Sequence, residues 1–229
     1  MKALLRWIGL VAFAVLALEL FFVLRIAAAW GLVVMLVSAL YSSIPLIGRL
    51  EFPMVLLGMA TMALLAWTAL RASGVHGGAT VKRALIVAGL VLVSVQVALG
   101  GWTSANYAAF ACAMDYPTCL QQWWPETDFR EAFVLWRGIG VDYEGGVLDG
   151  PARTAIHLTH RWFAVLVAGH VLMVALKAMR QPATRHYGRA IGALLVLQIL
   201  LGIANVKFGL PLWVATAHNG IAAALLFSL

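Results

Sequence analysis

Two histidines, His160 and His218, lie inside otherwise apolar stretches of a 229-residue chain. An imidazole at membrane depth is costly unless something binds it, and ionisable groups there mark function. Two imidazoles on facing helices are a common way to hold the iron of a b-type haem inside a bundle, because together they fill both axial positions. His160 falls in Ile156-His-Leu-Thr-His-Arg161, near the outer end of its span, and the Arg161 guanidinium beside it is suited to pair with a haem propionate. His157 is three residues earlier on the same helical face. Only one of the two can reach an iron, and His160 is the deeper; His157 is suited to contact a propionate, hold a water or line the substrate's way in. His218 lies about eight residues inside the last apolar run, in Ala215-Thr-Ala-His-Asn-Gly220, where small neighbours let a flat macrocycle approach the backbone.

The other candidate groups read differently. His76 and His186 sit in polar connections and are expected to be solvated. His170 is ten residues beyond His160, about 280° further round a helix, so it is expected to pack rather than ligate. Cys112 and Cys119 share one polar connection. If that connection is extracytoplasmic its compartment is oxidising, and a disulfide is the expected state, with free thiols as the alternative. Such a bridge serves either as a staple that pins the loop to the bundle or as a pair that exchanges electrons with an outside partner.

For these side chains to meet, apolar helices must carry them. The chain is 63% hydrophobic and 11% charged, with a mean hydropathy of +0.94, which places it among integral membrane proteins. Apolar runs near the roughly 20 residues that cross a bilayer recur over 5–24, 27–47, 52–70, 84–102, 156–176, 190–206 and 210–229. The fold class is therefore all-α, a polytopic membrane helical bundle of about seven transmembrane helices. One helix over the first two runs would be about 65 Å long, so a tight hairpin near Arg25 is expected instead. The opening run, preceded by Lys2 and Arg6, has the outline of a signal peptide, but no small-residue cleavage site opens onto a soluble domain.

The formal charge of +7 does not point to nucleic acid, because the basic residues flank spans instead of clustering on a soluble face. Arg71, Lys82 and Arg83 fill one connection and Lys177, Arg180, Arg185 and Arg189 another, so both are expected on the cytoplasmic side. The connection 103–155 holds seven acids against three arginines and is expected to be extracytoplasmic, in a protein of the bacterial inner membrane. Seven spans then place the N-terminus outside, against the pull of Lys2 and Arg6. Gln121-Gln-Trp-Trp-Pro125 and Trp136 in that loop suit the headgroup level, as an interfacial anchor or a lid. Gly89, Gly100, Gly101, Gly192, Gly202 and Gly220 permit close helix packing in lipid.

Several motifs in order carry a resemblance. Gln96-Val-Ala-Leu-Gly-Gly-Trp-Thr-Ser-Ala-Asn-Tyr107, Tyr116-Pro-Thr-Cys119, Gln122-Trp-Trp-Pro125, Ala155-Ile-His-Leu-Thr-His-Arg161 and the His218 span together resemble the C-terminal half of haem A synthase, the cytochrome oxidase assembly family, over residues 81–229. The resemblance implies an eight-span protein of two pseudo-symmetric four-helix bundles. The N-terminal bundle handles haem O, whose ring methyl is oxidised to formyl, and the C-terminal bundle holds a low-spin haem b. Carried onto this chain, it makes His160 and His218 the axial ligands of haem b and Cys112 with Cys119 a loop disulfide. No catalytic residue of the N-terminal bundle transfers.

The departure lies in residues 1–80. Sliding 5–25 onto 160–180 aligns Arg6 with Arg161, Trp7 with Trp162 and Arg25 with Arg180, and 26–58 then runs onto 188–220. In that register Leu5 stands where His160 does and Leu56 where His218 does. Residues 1–80 thus read as a degenerate three-span half-bundle without ligands, and 81–229 as a four-helix haem-binding bundle. Glu19, in mid-span, is either functional or paired with a snorkelling arginine. Two functions follow: a haem A synthase-like oxidoreductase whose substrate site is completed by a homo-oligomer or a haem O synthase partner, or a non-catalytic cytochrome b-like electron carrier or assembly factor.

Overall fold

The computed structural model describes residues 81–135 and 146–229, with a few helical positions between 57 and 68. The three-span half-bundle, Glu19, His76 and Trp136 fall outside the described residues. Those that are described form an all-helical membrane bundle. In chain order it comprises α1 (Arg83–Ala105), a 3-10 turn (Ala108–Phe110), α2 (Phe129–Ala132), α3 (Gly150–Met179), α4 (Arg185–Lys207) and α5 (Leu212–Ser228).

Uninterrupted apolar sequence makes the long helices, since in lipid every backbone N–H and C=O must be satisfied within the segment. α1, α3 and α4, of 23, 30 and 23 residues, are long and apolar enough to cross a membrane, and α5 is apolar over 17 residues. α1, α3 and α4 overrun the apolar runs that announce them, most of all α3, which starts at Gly150 where the apolar run starts at 156. The cause is a cap. The Asp149 carboxylate accepts from the Ala152 amide at 2.9 Å, and Pro151 sits in the first turn, where its missing N–H is no loss. The loop is shorter than 103–155 accordingly.

α1 packs on α3, α3 on α4, α4 on α5 and α5 on α1, which closes a ring of four helices with α3 diagonal to α5 and α1 diagonal to α4. Val93 of α1, Val167, Val171 and Ala175 of α3, Ile191 and Leu195 of α4, and Leu225 of α5 fill its centre. Val91, Val165, Leu166 and Leu200 point outward, as lipid-facing side chains do. The α3–α4 hairpin needs Gly188, where a Cβ would stand 2.6 Å from Met179 N and 2.7 Å from Ala175 O. Gly192 and Gly220, expected among the packing glycines, have nothing within 4 Å where a Cβ would go. Small size alone does not say which glycines face a neighbour.

The loop folds onto the end of the bundle from which α3 begins. Trp102 Nε1 donates to Ala132 O at 3.0 Å, tying α2 to α1, and Asp128 caps α2 through the Glu131 amide at 2.9 Å. Ala108, Ala132, Leu148, Ala152, Ala155 and Ile156 make a small core beneath it. Cys119 and Gln122 exchange backbone hydrogen bonds across a two-residue turn whose central residues, Leu120 and Gln121, have φ of 52° and 62°.

Candidate functional site

His160 and His218 sit on the diagonal pair α3 and α5. The other diagonal pair supplies a seat for each. Gln96 of α1 places Nε2 3.1 Å from His160 Nδ1 and donates to the His160 carbonyl at 3.1 Å. Gln198 of α4 places Nε2 3.2 Å from His218 Nε2. One turn further along each helix is a glycine against which the imidazole edge lies. A Cβ on Gly100 would meet His160 Cε1 at 3.2 Å, and a Cβ on Gly202 would meet His218 Cε1 at 3.2 Å. Gln96 Oε1, Gln198 Oε1 and His218 Nδ1 are buried with no hydrogen-bond partner among the described residues.

Arg161, next to His160, turns to the loop. Its Nη1 donates to Thr118 O and its Nη2 to Asp115 O, both at 2.9 Å, and the guanidinium lies 5.7 Å from the Tyr116 ring centroid. Its Nε is buried with no partner. The two carbonyls belong to the segment between Cys112 and Cys119, which are joined by a disulfide and are both buried against Leu158 of α3. His157 is buried and its Nδ1 donates to Ala108 O at 2.9 Å, which puts the proton on Nδ1 and ties the 3-10 turn to α3. Asp115, at the loop tip, accepts from the Gln121 amide and the Thr118 hydroxyl. Those two bonds, with lesser help from Lys207 and Arg161 and against a little burial, hold its carboxyl below the usual 3.8.

The site thus brings His160, His218, His157, Arg161 and the disulfide to one end of the ring. His170 stands apart, donating from Nε2 to Leu85 O at 2.9 Å across the α1–α3 contact, and His186 is exposed beside Tyr187. Trp123 and Trp124 are 62% and 64% exposed, which fits an interfacial anchor. A cavity of about 500 Å³ between the loop and the start of α3, lined by Tyr107, Glu126 and Arg153 among others, does not include the facing histidines. Among the described residues no group of three or more His, Cys, Asp or Glu gathers. Two imidazoles facing each other across a bundle could hold an iron only if other ligands, such as those of a macrocycle, completed its coordination.

Sequence reasoning missed Gln96 and Gln198 as parts of the site. The signal is present: Gln-x-x-x-Gly occurs in α1 and again 102 positions later in α4.

The model of the COX15-CtaA family, described as cytochrome oxidase assembly protein, matches residues 52–229. The chain is 40% identical over 148 residues to the haem A synthase of Shewanella oneidensis, covering 62% of this chain and 44% of that one. It is 30% identical over 146 residues to the haem A synthase of Rhizorhabdus wittichii, covering 64% and 38%. With the haem A synthase of Maricaulis maris it shares 32% over 185 residues, covering 75% and 48%. The chain spans less than half the length of each of these relatives. No solved structure matches it.

Proposed function

The chain belongs to the cytochrome oxidase assembly protein family, and from that premise we propose that it is a haem A synthase-type membrane oxidoreductase of haem A biosynthesis. In this reading His160 and His218 are the axial ligands of a haem b, and the reaction served is oxidation of the haem O methyl group to formyl. The observation that carries it is the diagonal histidine pair, each imidazole laid against a glycine of the neighbouring helix. The residues present fit such a cofactor. The buried atoms of Gln96, Gln198 and His218, unpartnered among the described residues, are a polar set still to be satisfied, and Gly100 and Gly202 let both rings lie close against the neighbouring helix.

His160 and His218 would hold the haem, which would supply one-electron transfer there. The chain's own groups do the rest. Arg161 offers its buried Nε to a propionate while its two outer nitrogens hold the loop. His157, its Nδ1 proton committed to Ala108, keeps Nε2 as an acceptor, which suits a water beside the cofactor and not a propionate oxygen. The disulfide loop packs against α3 at that end of the bundle. Lys82, Arg83, Lys177, Arg180 and Arg185 collect at the opposite end of the ring, which supports an extracytoplasmic loop in a bacterial inner membrane. Residues 1–80, a degenerate three-span half, leave the haem O site to a second copy of the chain or to a haem O synthase partner.

A second reading, a non-catalytic cytochrome b-like carrier, is favoured by the count of ligands: residues 1–80 contain one histidine, His76. Spectra and pigment analysis of the purified protein test both. His160→Ala and His218→Ala should each abolish the low-spin haem b signal in reduced-minus-oxidised spectra, with His186→Ala silent. Unchanged spectra in both variants would remove the ligand assignment. Haem O or haem A extracted beside haem B supports the oxidoreductase, and haem B alone supports the carrier.

A further inference from the structure

The same small structure is built twice. α1 and α4 are both 23 residues long, each carries its glutamine at the fourteenth position and its glycine four residues later, and each meets a histidine of another helix. Residues four apart share a helical face, so amide and glycine form one continuous seat. The contact repeats as well, though on different ring nitrogens: glutamine Nε2 lies 3.1 Å from His160 Nδ1 in one copy and 3.2 Å from His218 Nε2 in the other. Cε1 lies 3.2 Å from the position of a glycine Cβ in both, and glutamine Oε1 is buried and partnerless in both. Ordinary interhelical glue does not require two separately encoded segments to repeat an unsatisfied acceptor.

We infer that Gln96 and Gln198 are positioning residues for the haem ligands. Each holds one imidazole in its ligating rotamer and, with iron bound, stays beside the ring to set the reduction potential. The inference rests on the histidine assignment above. An amide presents a donor at one end and an acceptor at the other, exchanged by rotation about its last torsion. An imidazole that gives one nitrogen to iron keeps its proton on the other, and that N–H needs an acceptor. Gln96 Oε1 and Gln198 Oε1 are both buried without a partner among the described residues, so each amide has an acceptor to offer. Turning the amides would bring Oε1 to where Nε2 now stands, beside His160 Nδ1 and His218 Nε2, leaving the other nitrogen of each ring for iron. A bond there makes the imidazole a stronger donor to iron and favours the oxidised state.

The test is redox titration of the purified haem-loaded protein, with haem affinity and unfolding temperature measured on the same samples. Gln96→Met and Gln198→Met keep the length of the side chain and remove its hydrogen bonds; Gln96→Glu and Gln198→Glu keep the acceptor and strengthen it. The expected result is a folded protein whose potential rises in the Met variants and falls in the Glu variants, or whose haem affinity drops in the Met variants at an unchanged unfolding temperature. Wild-type potential and affinity in all four overturn the inference, as does loss of the fold in both Met variants, which marks a purely structural role. His160→Ala and His218→Ala separate the two claims: if they keep the wild-type spectrum the ligand assignment fails, whatever the glutamines do.

Discussion

Arg161 Nη1 donates to the Thr118 carbonyl at 2.9 Å, so the residue next to a haem-ligand candidate on α3 grips the ring of chain closed by Cys112 and Cys119. A second bond of the same length runs from Nη2 to Asp115 O. The planar fork makes both at once, which a lysine ammonium cannot do from one position. Hydrogen bonds from a charged donor contribute about 1.5–3 kcal/mol each. The half-exposed setting of Arg161 places the pair toward the lower end.

Arg161→Ala and Arg161→Lys should therefore both loosen the loop, Ala more than Lys. The measurement is the rate at which a phosphine reductant opens the Cys112–Cys119 bridge in detergent-solubilised protein. An acceleration on the order of tenfold is expected for Ala. Equal rates in wild type and Ala would show that the two carbonyl bonds do not hold the loop closed.

Asp115 gives the same loop a pH dependence with a definite sign. The Gln121 amide and the Thr118 hydroxyl stabilise its ionised form, so its folded value lies below 3.8. Its contribution is fully present above that value and is lost as pH falls through the lower, folded one. Wild type and Asp115→Asn should differ in bridge reduction rate at neutral pH and converge only in acid below about 3.8. Rates that stay apart there would mean that the carboxylate charge does not matter to the loop.

The long helices and the histidine pair were legible because each breaks a strong expectation. Twenty apolar residues in a row have few other uses, and an ionisable group inside such a run is conspicuous. Gln96 and Gln198 were not legible, because a neutral amide in a span is unremarkable until its partner is known. The loop hid more. Leu120 and Gln121 turn the chain at φ of 52° and 62° although neither is a turn residue, and what holds them there is a carboxylate five or six positions away. Nothing in Ile156-His-Leu-Thr-His-Arg161 says that the guanidinium would meet loop carbonyls, because backbone acceptors carry no sequence signature. The start of α3 was misplaced for a related reason: hydropathy follows apolar length, whereas Asp149 sets where the helix begins.

His157 carries a prediction about stability rather than ligation. Its Nδ1 proton bonds the Ala108 carbonyl, which also accepts from the Ala111 amide at 3.1 Å, and both His157 and Ala108 are buried. His157→Leu keeps the apolar contacts and removes one of the carbonyl's two bonds, which destabilises by about 0.5–1.5 kcal/mol. Thermal unfolding in detergent should register the loss, and the haem spectrum of the loaded protein should keep its bis-histidine form. A lost low-spin signal with an unchanged unfolding temperature would instead make His157 a ligand.

Gly188 and Gly192 are one turn apart on α4 and separate packing from mere smallness. A Cβ at Gly188 would press on Met179 N at 2.6 Å and Ala175 O at 2.7 Å, both backbone atoms that no rotamer change can move. A Cβ at Gly192 meets nothing within 4 Å. Gly188→Ala must therefore push α4 away from α3 or strain the hairpin, at a cost of about 1–3 kcal/mol. Gly192→Ala should be neutral or slightly stabilising, since alanine is the better helix former by about 1 kcal/mol. Unfolding temperatures of the two variants, measured side by side in the same detergent, decide the matter. A Gly188→Ala protein as stable as Gly192→Ala would show that the α3–α4 turn is looser than its backbone contacts imply.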